Sequence, residues 1–196
     1  MKVELLSITP ECEKLIEIAG RECYQSIVGN PKIIQNWIKS GHESVIEHAC
    51  ATFKISDVSR AESHQHVRHR IASYSQKSQR WVMEDYFNFI TPKSIKNNPD
   101  ALELYTSLMD TIRDTYHKLI KLGIKKEDAR FTLPNACATS FVCTMNFRSM
   151  RNFFKLRLDS HAQWEILEVA NEMLKLVKPL APNVFFDIEV IDEINS

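Results

Sequence analysis

The chain has 196 residues, of which 44% are hydrophobic and 26% charged, enough apolar material for one core and for a single domain spanning 1–196. Lys plus Arg equals Asp plus Glu at 25 each, so the cationic excess that holds proteins on nucleic acid by counterion release is missing, and any anion site must be local. Acidic residues interrupt the apolar N-terminal segment, and no later stretch reaches the run of about 20 apolar residues that a spanning helix needs, which predicts a soluble, cytoplasmic protein with no membrane partner.

Thr9-Pro10 is expected to open the first helix, with a cap side chain followed by proline at the first helical position, and Cys12, Leu15, Ile16, Ala19 and Cys23 form its apolar stripe. Asn30-Pro31 opens a second helix in the same way. Ala51, Phe53 and Ile55 then alternate with Thr52, Lys54 and Ser56, the period of a strand. Asn98-Pro99 starts a long helix whose core face is Tyr105, Leu108, Met109, Ile112, Tyr116 and Leu119. A second alternating stretch, Phe141, Cys143, Met145 and Phe147, predicts another strand. Asn146 stands at its end, able to cap the following helix, and Arg148 and Asn152, four apart, share one face of that helix. Ser160-His161-Ala162-Gln163 has the form of a capping box, and Ile166, Ala170, Met173, Leu174 and Val177 keep helical period behind it as far as Pro179. Long helices with few strands between them predict an α+β fold. The five cysteines, Cys12, Cys23, Cys50, Cys137 and Cys143, lack CxxC spacing and read as reduced core thiols.

The densest polar cluster is Arg68-His69-Arg70-Ile71-Ala72-Ser73-Tyr74-Ser75-Gln76-Lys77-Ser78-Gln79-Arg80, which contains no acid to form i,i+4 pairs with its bases. An anion is expected there, because the planar guanidinium fork meets two phosphate oxygens at once and stays charged at any working pH. Two rival classes compete. His42, His48, His64, His66 and His69 invite a metal-hydrolase reading, although HExxH and HxH-with-acid patterns are absent and the expected metal is none. Tyr74 and Trp81 beside the basic run invite a nucleic-acid module, opposed by the neutral overall charge and by Glu84-Asp85.

Spacing separates these readings. Arg-His-Arg at 68–70, seven residues, then Ser78-x-Arg80 resembles the defining motif of the flavin-dependent thymidylate synthases. Gly41-His42-Glu43-Ser44-Val45-Ile46-Glu47-His48 resembles that family's flavin-side segment, and Ala129-Arg130-Phe131-Thr132-Leu133-Pro134 its nucleotide-side arginine. Asn146-x-Arg148-x-x-x-Asn152-x-x-x-x-Arg157 followed by His161-Ala162-Gln163-Trp164-Glu165-Ile166 is similar to a further block, so the motifs cover roughly residues 40 to 170 in the family's order.

The resemblance implies a twisted, largely antiparallel sheet with packed helices, assembled as a homotetramer whose sites draw on more than one subunit. It implies reductive methylation of dUMP to dTMP with FAD, 5,10-methylenetetrahydrofolate as one-carbon donor and NADPH or another nicotinamide nucleotide as reductant. Flavin contacts carried over are His42, Ser44, Glu47, Arg68, His69, Arg70, Gln76, Asn146, Arg148 and Asn152. Those for dUMP are Gln65, His66, Val67 and Arg68, the segment Gln76, Lys77, Ser78, Gln79 and Arg80, then Arg130 and Arg157. Arg157 is the implied catalytic group, sitting against the uracil ring and favouring its ionisation at N3. Read locally, Arg157 could instead be a helix-end cation paired with Asp159, and Asn146 a cap alone. The chain departs from the family pattern at His64, where many relatives have arginine, at Trp81, where tyrosine is common, and at Gln76, where some carry glutamate.

Overall fold

The computed structural model describes residues 1–23 and 25–191. Four strands, β1 (Lys2–Ile8), β2 (Cys50–Ser59), β3 (Ser73–Gln76) and β4 (Ala138–Asn146), form one antiparallel sheet in the order β1-β2-β4-β3. The helices are α1 (Cys12–Glu22), α2 (Ile33–Lys39), α3 (Arg60–His66), α4 (Lys93–Lys96), α5 (Pro99–Lys121), α6 (Lys126–Ala129), α7 (Phe147–Arg157) and α8 (Trp164–Val177), with 3-10 turns at Glu43–His48 and Arg130–Thr132. The expected α+β class and antiparallel sheet are what forms.

By density of internal packing the chain divides into two units: Met1–Ile55 with Gln65–Ser75 and Val142–Ser196, and Ser56–His64 with Gln76–Phe141. In the first, Phe147 N donates to Ala49 O at 2.9 Å, and the Thr52 and Thr144 hydroxyls meet at 3.0 Å. Residue numbers rise on one strand as they fall on the other, which makes the β2–β4 pair antiparallel. Alternation puts Ala51, Phe53, Ile55, Cys143 and Met145 into the core, as their spacing predicts. Helix α8 buries Ile166, Ala170, Met173, Leu174 and Val177 there, and α7 adds Phe147, Met150, Phe153 and Phe154, with Phe185 edge-on to two of those rings.

The first helix departs from its expected form. Its cap position is Glu11, in the left-handed region with no capping side chain, while the Thr9 hydroxyl accepts from Cys50 N at 2.9 Å. Its buried face is Cys12, Ile16, Glu17 and Gly20, so Leu15 and Cys23 lie exposed. Glu17 is drawn inward because its carboxylate accepts from Gly29 N, Asn30 N and the Arg21 side chain at 2.7–2.9 Å, which holds it below the ordinary carboxylate range despite burial. Gly20 faces the indole of Trp37 on α2 at a distance that leaves no room for a Cβ. Helix α2 starts at Ile33, and Asn30 accepts from Lys32 N in the turn before it instead of capping it.

In the second unit, Asn98 caps α5 as expected, accepting from Ala101 N with Pro99 at the first helical position. Met109 and Tyr116 are its fully buried residues, and Leu108 is exposed. A small core of Phe87, Met109 and Cys137 forms with Phe89, Tyr105, Ile112, Leu133 and Ala136 packed against it. No helix among the described residues is long and apolar enough to cross a membrane.

Candidate functional site

One cavity of about 1180 Å³ opens in the first unit. Its walls are the 3-10 turn at Glu43–His48, the loop Arg68–Ile71 that follows α3, one face of α7, and the chain segment 187–191. Helix α7 forms because Asn146 ends β4 in extended conformation and its side chain accepts from Ser149 N at 2.8 Å. Asn146 is therefore a cap, and it lines the cavity as well. Arg148, Arg151, Asn152 and Lys155 project from α7 at the i, i+3, i+4, i+7 spacing of a single helix face, and Arg157 stands at its last position. Arg151 and Lys155 were not among the residues singled out from sequence, although continuing the Arg148–Asn152 spacing by one turn finds both.

The charges are unequally committed. Arg148 pairs with Glu47 at 2.6 Å and lies 3.7 Å from Glu43. Its hydrogen bond to Glu47 holds the guanidinium's pKa above the usual arginine value. Arg151 meets both oxygens of Asp187, at 2.7 and 2.9 Å, and keeps that carboxyl below its ordinary range. Glu189 pairs with Lys178 at 2.7 Å. Every lining carboxylate is thereby engaged, whereas Arg68, Arg70, Lys155 and Arg157 have no ion pair among the described residues. The surplus is cationic.

Arg157 is held from two sides. Its Nε donates to His69 Nε2 at 3.0 Å, and its Nη2 donates to Gln65 O at 3.4 Å. Asp159 instead binds His161, through backbone N and Nδ1 at 2.9 Å each, so the local reading of Arg157 as a partner of Asp159 fails. Accepting from a guanidinium requires a neutral His69 with its proton on Nδ1. Burial, the Arg157 charge and His66 together lower the His69 pKa to about 4. The Tyr74 hydroxyl spans the carbonyls of His66 and His69 at 3.0 and 2.9 Å, and both imidazoles pack on Phe153 with centroids 4.8 and 4.9 Å away. The triplet is thus a loop held at its central residue, with Arg68 and Arg70 exposed on either side of a part-buried imidazole.

The remaining candidates sit elsewhere. His42 and Ser44 are exposed at the start of the 3-10 turn that carries Glu47, and Val67 is exposed just after α3. Gln163, expected to close a capping box with Ser160, is itself the cap of α8, accepting from Glu165 N and Ile166 N. Gln76, Lys77, Ser78, Gln79, Arg80 and Arg130 belong to the second unit. There Gln76 donates to Ser63 and Thr139, Gln79 accepts from Arg60, and Arg130 donates to Glu127 O. Lys77 pairs with buried Glu84 and Arg80 with Glu127, so two cations of the basic run do have carboxylate partners, 7 and 47 residues away. Ser78 Oγ accepts from Arg80 N in a turn, with no histidine–acid pair arranged on it among the described residues. No group of three or more His, Cys, Asp or Glu side chains among the described residues is placed to hold a metal ion.

Residues 4–183 match the family described as thymidylate synthase complementing protein. A flavin-dependent thymidylate synthase of Geobacter sulfurreducens is 44% identical over 95% of this chain and 86% of its own length. One from Clostridium tetani is 40% identical over 94% and 85%, and one from Pyrococcus furiosus 48% identical over 69% and 57%. With the Arg-His-Arg loop, helix α7 with its Asn146 cap and a family match over nearly the whole chain in agreement, the protein belongs to the thymidylate synthase complementing protein family, that of the flavin-dependent thymidylate synthases.

Proposed function

We propose that this chain is a flavin-dependent thymidylate synthase that converts dUMP to dTMP with FAD, 5,10-methylenetetrahydrofolate and NADPH, residues 1–196 serving as one functional domain. The observation that carries the reading is the cavity in which Arg68, Arg70, Lys155 and Arg157 lack carboxylate partners among the described residues around one neutral imidazole. FAD fits this lining: its pyrophosphate needs cations not already neutralised, and a cavity of about 1180 Å³ is at or above the roughly 300–1,000 Å³ of ordinary ligand and cofactor pockets, so it has room for an extended dinucleotide. Arg68, His69 and Arg70, with Asn146 and Arg148 at the positive end of α7 and Asn152 one turn further along the same face, would hold it. His42, Ser44, Glu47 and Gln76 complete the proposed flavin set. Bound flavin would supply the hydride that the methylation consumes.

The chain's own part is electrostatic. Arg157, pinned by His69 Nε2 and Gln65 O, presents a permanent positive charge to a pyrimidine whose ring becomes anionic as C5 turns nucleophilic. Orientation by two fixed partners means that little reorganisation is left for the transition state. Gln65, His66, Val67 and Arg68, then Gln76, Lys77, Ser78, Gln79 and Arg80 with Arg130, are proposed dUMP contacts. A homotetramer whose sites draw on several subunits lets the two groups act from different copies. Activation of uracil by a cysteine has no support in the cavity: Cys12, Cys137 and Cys143 are buried, and burial pushes the Cys137 thiol up to about 11. A cytoplasmic setting agrees with these reduced thiols.

The test is direct. Purified protein given dUMP, methylenetetrahydrofolate, FAD and NADPH should form dTMP, detected by chromatography. No dTMP from protein that has taken up flavin would remove the reading.

A further inference from the structure

The family match ends at residue 183, yet Asp187, Ile188, Glu189 and Ile191 line the cavity. Three side chains of the first unit fasten this segment. Arg151 donates to Val184 O at 2.5 Å and to both Asp187 oxygens. Lys178 donates to Ile188 O at 2.7 Å and pairs with Glu189. Asn171 exchanges two hydrogen bonds with the backbone of Ile191, at 2.7 and 2.9 Å. Phe185, fully buried against Phe147 and Phe154, anchors the start.

An irregular segment has no ladder to fix it, so beyond the local turn bonds of Val184, Phe185 and Ile188 its side-chain anchors decide where it lies. These anchors come at 184, 187, 188, 189 and 191, nearly one per residue, and they stretch the chain along one side of the cavity. Its two acids arrive already neutralised by Arg151 and Lys178. The segment can therefore border a cationic cavity without cancelling the charge of Arg68, Arg70, Lys155 or Arg157.

We propose that residues 184–191 are a cofactor-retaining wall of this site, with Arg151, Asn171 and Lys178 as positioning residues that hold it. Asn171 and Lys178 do not line the cavity, so they act only through the wall. The inference rests on the flavin reading above.

Asn171→Leu removes both bonds to the backbone of Ile191 without altering any side chain that lines the cavity. It should weaken FAD binding about tenfold, the effect of roughly one net hydrogen bond, read by quenching of flavin fluorescence on titration with protein, while circular dichroism stays unchanged. Arg151→Met should weaken it further and Arg151→Lys only in part. In the wild type, FAD should slow amide exchange at 186–191 several-fold, a readout that needs no variant to fold. Wild-type protein that binds no FAD would defeat the flavin reading itself. Wild-type binding with unchanged affinity in Asn171→Leu and unchanged exchange at 186–191 would overturn the wall alone.

Discussion

Acidifying the protein should destabilise it through His69, and the size of the effect follows from the geometry. In the fold this imidazole accepts from Arg157 Nε and has its pKa lowered from 6.5 to about 4, by burial first and then by the Arg157 charge and His66. In the unfolded chain it titrates near 6.5. Above pH 6.5 both states hold it neutral and it adds no pH dependence. Between 6.5 and 4 the unfolded state binds a proton that the folded state refuses, so stability falls as pH falls, and below 4 the loss is complete. At about 1.4 kcal/mol per unit the loss is about 3 kcal/mol, and solvent access to the part-buried ring reduces it to about 2. His69→Gln keeps an acceptor for Arg157 and removes the titration. Urea unfolding of wild type and variant, both free of flavin, at half-unit steps from pH 7.5 to 4 isolates the term, since every other group is common to the two. The wild-type curve should drop by about 2 kcal/mol more than the variant's. Parallel curves would refute the neutral, guanidinium-bound imidazole.

Other consequences concern the rest of the chain. Gly20→Ala pushes a methyl into the Trp37 indole, and after the gain in helix propensity a net loss of about 1–2 kcal/mol remains, a fall of roughly 2–8 °C in melting temperature; an unchanged or higher value would contradict the close approach. Asn98→Ala removes the α5 cap and should cost about 1 kcal/mol in urea unfolding; no measurable cost would contradict the Ala101 N contact. Iodoacetamide at pH 8 should label exposed Cys23 quickly and Cys12, Cys137 and Cys143 only on unfolding, read by peptide mass spectrometry; fast labelling of Cys137 would contradict its burial and raised pKa.

Periodicity carried the parts of the fold that bury continuous apolar stripes, which is why β2, β4 and α8 were located from the sequence, although β2 runs three residues beyond Ser56, β4 starts three before Phe141, and Phe147 opens α7 instead of ending the strand. It failed where a polar residue is buried by remote partners. Glu17 turns inward for the amides of Gly29 and Asn30, and no spacing on α1 announces donors 12 and 13 residues away. Strand β1 has no fully buried residue and no clean alternation, and β3 is the four polar residues Ser73–Gln76, so neither carries a two-residue apolar signal. The site was legible where motif and helix face coincide, at Arg68–Arg70 and at Arg148, Asn152 and Arg157. Commitments made through space were not: Arg148 to Glu47 and Glu43, Arg80 to Glu127, and the 184–191 wall are long-range pairings between elements whose separation the sequence does not encode.

Flavin retention and turnover measured side by side in Arg157→Ala test the central claim most directly. That claim is that a guanidinium pinned by His69 and Gln65 stabilises charge on the pyrimidine while neighbouring cations hold the cofactor. The variant should keep bound FAD within a few-fold of wild type and lose dTMP formation by about 10²–10³ or more. Near-normal turnover, or loss of flavin and turnover together, would contradict it.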